Sequence, residues 1–444
     1  MLKRKIDSFL LDWKKRKNHK PLIISGARQI GKTTSIRELG KSYESFIEIN
    51  FITMREFMEV FEGDLRIDSI IKKISLINPS FKFIPGSTLI LLDEIQGCPN
   101  AVTALKPFSE DNRFDVICSG SLLGVNYNQI SSIPVGFKEE YQMYSLDFEE
   151  FLWANGYDDD LIETIYSYMI RLEKLPNIYM NKLNELFNDY VFVGGMPEAV
   201  NSFIDTKLYT NVFDIQNRIY KDYEDDITKY VLGLDKSKVK NVYRHITPQL
   251  AKDNHKFQIT KLSHGARARD YFGIEEWLKD AGIINVAYNL EKLDFPFSAY
   301  EKSDYFRIYY ADHSLFIASL DEESKKDLIA NKNYEIYNGA LYESLVSETL
   351  VKSGYKLYFF KTTDATIELD FVIRRKNSII PLEVKRNRGR SKSLNTIISG
   401  DNNIKLGIKL SRNNIGISDG KITLPYFLTF LLKRYLEETK LISW

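Results

Sequence analysis

The sequence predicts a multidomain α/β protein, and three observations carry that expectation. Short apolar runs at 22–25, 46–51, 88–93, 115–119 and 141–146 alternate with segments long enough for crossover helices, which is the pattern of a parallel sheet. From about 147 to 230 the strands stop and apolar residues recur at helical spacing. Past 338 a helical stretch leads into three more strand-like runs, a second α/β arrangement at the end of the chain. At 444 residues the chain is too long for one ordinary core. The pattern divides it into residues 1–150, 151–231, 232–324 and 325–444.

Residues 1–20 read as an amphipathic helix with Ile6, Leu10 and Trp13 on one side and lysines opposite. The apolar run 22–25 then enters the loop that organises the first domain. Gly26, Ala27, Arg28, Gln29, Ile30, Gly31, Lys32, Thr33 and Thr34 fit G-x-x-x-x-G-K-[ST], a phosphate-binding P-loop between a strand and a helix. Glycines allow the chain to wrap phosphates closely, and backbone N–H groups with the helix N-terminus supply fixed donors. Lys32 adds a point charge at the β/γ oxygens of ATP, and Thr33 Oγ1 is placed to ligate Mg²⁺.

The run Leu89–Leu92 is wholly apolar, as expected of a strand covered on both faces, and ends in Asp93 and Glu94. It reads as a Walker B strand, with Asp93 holding Mg²⁺ and Glu94 orienting or deprotonating the attacking water. Strand 115–119 ends in Ser119-Gly-Ser121, where a parallel strand meets the ligand crevice. Ser119 is the expected sensor of the γ-phosphate or lytic water, although the same tripeptide occurs in plain turns.

The helical stretch 151–231 fits a lid on the nucleotide site. Its last helix carries Arg218, which is either an arginine finger or a solvated arginine on an acidic helix. Residues 232–324 suggest helices at 239–250, 257–262 and 266–281 followed by strands at 283–288 and 305–310, a winged-helix-like module. Its third helix opens with Arg267 and Arg269, so it is read as entering a DNA groove or as packing between domains.

In the last domain, Leu341, Leu345, Val346 and Leu350 mark a helix that also carries Glu343. Strands follow at 357–360, 367–373 and 379–385, with Asp370 on the second and Glu383-x-Lys385 on the third. Side chains alternate along a strand, so Glu383 and Lys385 share a face that Asp370 on the neighbouring strand can meet. Asp370 and Glu383 would bind a divalent metal, Lys385 would steady or deprotonate the hydrolytic water, and Glu343 is a third acid from the helix.

The net charge of +1 gives no global footprint for nucleic acid, but charge is locally concentrated. Residues 374–412 hold eleven Lys/Arg against two Asp/Glu, and residues 3–20 hold eight against two; each run is a nucleic-acid surface or a solvated face. Cys98 and Cys118 form neither a metal spacing nor a disulfide framework. No apolar run approaches the roughly 20 residues that cross a bilayer, and the Lys-rich start lacks the pattern of a signal peptide, so no membrane partner and a cytoplasmic location are expected.

Taken in order, GARQIGKTT, LLDEIQGCP, CSGSLLG, YSLDFEEFL, VGGMPEAV, NGALYESLV, ELDFVI and PLEVKRN resemble the AAA-type P-loop ATPases of bacteria and archaea that end in a restriction-endonuclease-like PD-(D/E)xK domain. The resemblance covers nearly the whole chain. It implies an ATPase core, a helical lid, a winged-helix-like middle and a nuclease-like end, with ATP and Mg²⁺ as cofactors. By position it assigns Lys32 and Thr33 to nucleotide and Mg²⁺, Asp93 and Glu94 to the Walker B pair, and Asp370, Glu383 and Lys385 to the nuclease-like triad. Where the family is expected to have Pro-Val-Gly-Lys, this chain has Pro134-Val-Gly-Phe-Lys138, which departs at the trans-acting contact. An AAA-type site takes an arginine from a neighbouring subunit, which implies a homo-oligomer formed through the ATPase domain. The resulting expectation is an ATPase coupled to a metal-dependent, DNA-processing domain. The alternative is an ATP-regulated interaction or DNA-binding switch whose nuclease-like end is catalytically silent.

Overall fold

The structure is a computed structural model that describes residues 1–120, 136–231, 233–252, 256–331, 338–385, 391–400 and 404–439. The chain forms two compact units. The first is Met1–Ser145 with Asp280–Gly282, and the second is Leu146–Lys279 with Ile283–Trp444. Among the described residues no helix is long and apolar enough to cross a membrane.

The first unit opens with helix α1, Lys5–Lys15, which buries Ile6, Leu10 and Trp13 as the spacing predicts but is shorter than 1–20. Strands β1 (Leu22–Ser25), β2 (Ser45–Asn50), β3 (Thr88–Asp93), β4 (Asp115–Gly120) and β5 (Glu139–Gln142) form one parallel sheet in the order β2-β3-β4-β1-β5. All six residues of β3 are buried, which is why that run is apolar throughout. Ile47, Ile49, Ile90, Leu92, Val116 and Cys118 give the sheet one continuous apolar side packed by Phe57, Ile70 and Phe108. Strand β5 begins and ends earlier than the expected 141–146. Its ladder is set by the four residues of β1, with Leu22 opposite Glu139 and Ser25 opposite Gln142, so pairing rather than apolar content fixes its bounds.

In the second unit the expected helical stretch consists of helices Phe148–Ala154, Asp159–Arg171, Asn177–Val193, Pro197–Thr206 and Tyr209–Tyr230. The first starts at a reciprocal cap in which Glu150 N donates to Asp147 Oδ1 (3.0 Å) and Asp147 N donates to Glu150 Oε2 (3.2 Å). Helix Lys236–Leu250 follows. The helix expected over 266–281 is instead a 3₁₀ turn, Ala268–Tyr271, and a short helix, Ile274–Asp280. Gly273, at φ +77°, lies between them, a left-handed value that breaks a helical run.

Strands β6 (Ile284–Leu290) and β7 (Glu301–Tyr310) pair antiparallel, as a wing would. They do not stand alone. Strand β8 (Tyr358–Lys361) pairs parallel with β6, and β9 (Glu368–Leu369) pairs antiparallel with β8, giving the order β7-β6-β8-β9. This sheet therefore crosses the boundary expected at 324/325. The single strand expected over 367–373 is broken at Asp370, where the chain leaves that sheet and enters the next as β10 (Phe371–Arg375). With β11 (Ser378–Val384), β12 (Gly407–Ser411), β13 (Gly416–Ser418) and β14 (Lys421–Pro425) it forms a mixed sheet in the order β10-β11-β12-β14-β13. Helix Lys392–Gly400 connects the parallel pair β11 and β12.

A buried polar knot ties distant parts of this unit together. Glu348, on helix Asn338–Lys352, accepts from Lys352 Nζ and from Tyr190 OH (3.2 Å) through one oxygen. Its other oxygen takes the His313 backbone N–H and His313 Nδ1, each at 2.8 Å. His313 Nε2 faces the Tyr190 carbonyl at 2.9 Å, so both ring nitrogens meet acceptors and the ring is required to carry two protons. Next to it, Asp312 accepts the Gly195 N–H at 3.0 Å. A Cβ on Gly195 would lie 2.1 Å from the Leu146 carbonyl oxygen, which accounts for glycine at that turn. Asp312, His313 and Glu348 offer metal-ligating atoms within 4.8 Å of one another, but their hydrogen bonds to Lys352, Gly195, Ser314 and Tyr190 make them an internal ion cluster.

Candidate functional site

Two clusters of the sequence-predicted residues form, one in each unit. In the first unit, Gly26, Gln29 and Gly31 hold φ values of +154°, +62° and +95°, so the loop curls tightly between β1 and helix α2, Lys32–Gly40. A Cβ on Gly26 would lie 2.3 Å from the Met143 carbonyl oxygen. Lys32 Nζ turns back into the loop and donates to the carbonyls of Gly26 (3.0 Å) and Ala27 (2.6 Å). Burial lowers its pKa to about 8, and the charges of Glu94 and Asp93 oppose that shift.

The strand register explains the rest of this cluster. Asn50 on β2 and Ser119 on β4 are the cross-strand partners of Asp93 on β3. Asn50 Nδ2 donates to Asp93 Oδ2 at 3.1 Å, and the Ser119 hydroxyl donates to Asp93 Oδ1. Thr33 Oγ1 lies 3.4 and 3.3 Å from the two Asp93 oxygens, so the two expected Mg²⁺ ligands face each other. Ser119 contacts the Asp93 carboxylate, whereas its expected role concerned phosphate or water; Ser121 lies outside the described residues. Glu94 sits at φ +54°, a left-handed conformation that costs a non-glycine residue about 1–2 kcal/mol, and its carboxylate accepts from the Gln96 amide. Such strain at the end of a strand is characteristic of functional positions. Ile30 is anchored from below: Arg4 donates to its carbonyl at 2.8 Å and to that of Tyr144 at 2.7 Å.

Arg4, Asn50 and Gln96 are the residues that reading the sequence missed. Arg4 is hidden in a basic run, and its burial alone sets it apart. Lys138 pairs with Glu140. In the second unit Arg218 pairs with Glu198 on the outside of its helices, which fits a solvated arginine.

The second cluster lies in the second unit. Glu343, Asp370 and Glu383 are all buried, and Lys385 follows the end of β11. Lys385 Nζ is 3.1 Å from Glu383 Oε1, while Glu383 Oε2 is buried and has no hydrogen-bond partner. Asp370 accepts the Val384 N–H at 2.7 Å, which fixes its carboxylate against β11. Burial, then the negative charge of Glu343, raises the Asp370 pKa to about 7, although Lys385 and Arg307 pull it down. Lys385 is shifted up: burial opposes its charge, but Asp370 and Glu383 outweigh burial. Strand β7 adds two residues the sequence reading did not assign. Tyr309 OH donates to Glu343 Oε2 at 3.2 Å, and Arg307, 2% exposed, lies 3.5 Å from the same oxygen and pairs with Glu368. Their link to Glu343 comes from β7 packing against helix Asn338–Lys352, a later part of the chain, which no local pattern announces. Arg386, Arg388 and Arg390 of the basic run lie outside the described residues.

Comparison with known proteins assigns part of the chain. Residues 18–152 match the family model AAA_14, described as an AAA domain. Residues 184–326 and 338–428 match two models described as domains of unknown function, DUF8612 and DUF4143. No curated protein matches. Among solved structures, the Walker-type ATPase PABY2304 of Pyrococcus abyssi is similar at 12% identity over 72% of this chain and 96% of that one, with a TM-score of 0.43. The Orc1 protein of Aeropyrum pernix in complex with DNA is similar at 12% identity, 79% and 92% coverage and a TM-score of 0.29. AMPPCP-bound DnaA from Aquifex aeolicus gives 10%, 61%, 85% and 0.28.

Proposed function

We propose that residues 18–152, which match an AAA domain, bind and hydrolyse ATP and that this ATPase cycle is coupled to a metal-dependent, nuclease-like site on DNA at the C-terminal end. In the ATPase domain, Lys32 and the loop N–H groups hold the phosphates, Thr33 and Asp93 hold Mg²⁺, and Glu94 acts on the water. Asn50 and Ser119 are positioning residues that aim the Asp93 carboxylate.

The observation that carries the C-terminal reading is the buried carboxylate oxygen of Glu383 without a partner, beside Asp370 with its raised pKa and Lys385. Buried acids crowded together resist ionisation unless a cation balances them. Oxygen donors with no sulfur or imidazole suit Mg²⁺ or Mn²⁺. Asp370 and Glu383, with Glu343 nearby, would hold that ion, which supplies Lewis-acid polarisation of a phosphodiester; Lys385 would keep the attacking water aligned or take its proton. The order of elements supports this reading as well. A helix carrying Glu343, an antiparallel β10–β11 pair with Asp370 just before it and Glu383 on it, and a parallel β11–β12 pair joined by a helix form the arrangement expected of a PD-(D/E)xK core.

One observation favours the second reading, an ATP-regulated interaction or DNA-binding switch with a silent C-terminal domain. Arg307 and Tyr309 already engage Glu343, so one acid of the cluster has an internal counter-charge. Direct metal binding separates the two readings. Calorimetric titration of the full chain with Mn²⁺ is expected to show a site that survives Lys32→Ala and is lost in Asp370→Ala. Equal Mn²⁺ binding by wild type and Asp370→Ala would reject the metal site and favour the silent domain.

A further inference from the structure

Between Lys236 and Arg269 the chain carries nine Lys/Arg against one acid, Asp253, although the whole protein balances at +1. The structure gathers part of this run around the buried ring of Tyr271, the residue before an exposed one. Asn241, on helix Lys236–Leu250, donates to the Leu262 carbonyl at 3.0 Å and so brings the turn after Lys261 against the helix. The Lys238 ammonium lies 5.7 Å from the centre of the Tyr271 ring, and Ser263 Oγ is 3.4 Å from Tyr271 OH. The next residue, Phe272, is 81% exposed, held outside the turn that Gly273 makes. Among the described residues from 236 to 279, Phe272 is the only exposed large hydrophobic side chain.

Several charges of this run are available. Among the described residues, Lys236, Lys240, Lys261 and Arg267 have no carboxylate partner, and Arg269 faces only its neighbour Asp270, at 3.7 Å. The helix that the sequence would have sent into a major groove is absent, and the short helix that replaces it begins with Glu275 and Glu276, acids that would meet phosphates at its leading end. The remaining features are a flat aromatic face and flanking cations. Positive charge tracks a phosphate backbone, and an exposed aromatic offers a stacking platform to any base not already stacked in a duplex. A lipid surface would ask for an apolar face of several residues rather than one ring. An acidic peptide would satisfy the cations but offers no planar partner to Phe272.

We propose that this face binds single-stranded nucleic acid, with Phe272 stacked on an unpaired base and Lys238, Lys261, Arg267 and Arg269 on neighbouring phosphates. The assignment is independent of whether the C-terminal acids cut anything. It is tested by fluorescence anisotropy of the full chain with labelled oligothymidylate, oligouridylate of equal length and a DNA duplex, and by sedimentation with phosphatidylserine vesicles, over a range of salt. Single strands are expected to bind more tightly than duplex. Phe272→Ala is expected to weaken single-strand binding by about five- to a hundred-fold, and Phe272→Trp to preserve it. Lys261→Gln with Arg267→Gln should reduce the slope of log affinity against log salt by about 0.7 for each lost contact. Preference for oligouridylate over oligothymidylate, or the reverse, assigns the strand as RNA or DNA. The ring is largely exposed, so ATP hydrolysis by Phe272→Ala should match wild type and certify its fold. Single-strand affinity unchanged in Phe272→Ala, duplex bound as tightly as single strands, or sensitivity to Phe272 confined to the vesicles would each overturn the proposal.

Discussion

Glutamine in place of Glu94 is expected to leave ATP bound while slowing its hydrolysis by about a hundred-fold or more, the usual size of a general-base contribution. The two halves of this result come from separate parts of the site. In the proposed site phosphate binding rests on Lys32 and the loop whose glycines allow its curvature, whereas the Glu94 side chain is held by Gln96. The Glu94 carboxylate, presented by a left-handed backbone at the end of β3 and held by Gln96, is the group left to act on water. Lys32→Ala should show the opposite pattern, with nucleotide affinity lost first. Nucleotide binding by fluorescence and phosphate release by a coupled assay separate the two. Wild-type turnover in both variants would remove the roles assigned to these residues.

Glu348→Gln is expected to destabilise the second unit by about 3–5 kcal/mol, because it leaves Lys352 and His313 as buried charges without their counter-ion. A double replacement, Glu348→Gln with Lys352→Met, should recover part of that loss by removing one of the stranded charges. The cluster also shapes the pH dependence. Burial would raise the Glu348 pKa, but Lys352 and His313 hold it down to about 2, below its ordinary 4.5. Its contribution is therefore present above the ordinary value and lost as pH falls toward 2. For His313, burial opposes the charge, yet Glu348, Asp312 and the Tyr190 carbonyl raise it above its ordinary 6.5. That contribution is complete below 6.5 and lost as pH rises through the folded-state value. Urea midpoints of the wild type should thus be highest between roughly pH 4.5 and 6.5, with Glu348→Gln flatter on both sides. Equal midpoints for the two proteins across that range would show that the cluster does not hold the unit together.

The parts of the site that were legible in the sequence are those whose chemistry is local. Gly26 to Thr34 declare themselves because loop curvature, phosphate charge and metal ligand occur within nine residues. Asp93 and Glu94 follow because a strand buried on both faces must be apolar up to its end. Asp370, Glu383 and Lys385 could be read together because strand alternation fixes which side chains share a face, with Glu343 added from the preceding helix. What stayed hidden depends on pairing between distant segments. Asn50 meets Asp93 through the β2–β3 register, Arg4 reaches Ile30 and Tyr144 from the N-cap of α1 inside a basic run, and Arg307 reaches Glu343 because β7 packs against helix Asn338–Lys352. The expected helix over 266–281 failed for a local reason that the apolar spacing of Ile274, Trp277 and Leu278 masked, namely the left-handed turn at Gly273.

The central claim, ATP-driven control of a metal-dependent site, is tested most directly by following plasmid and single-stranded DNA with the full chain in Mg²⁺ or Mn²⁺, with and without ATP. The expected result is cleavage that needs the metal, changes in rate when ATP is hydrolysed, disappears in Asp370→Ala and loses its ATP response in Glu94→Gln. DNA that is bound with a steep salt dependence but never cut in either metal would contradict it and leave the C-terminal domain as a binding module.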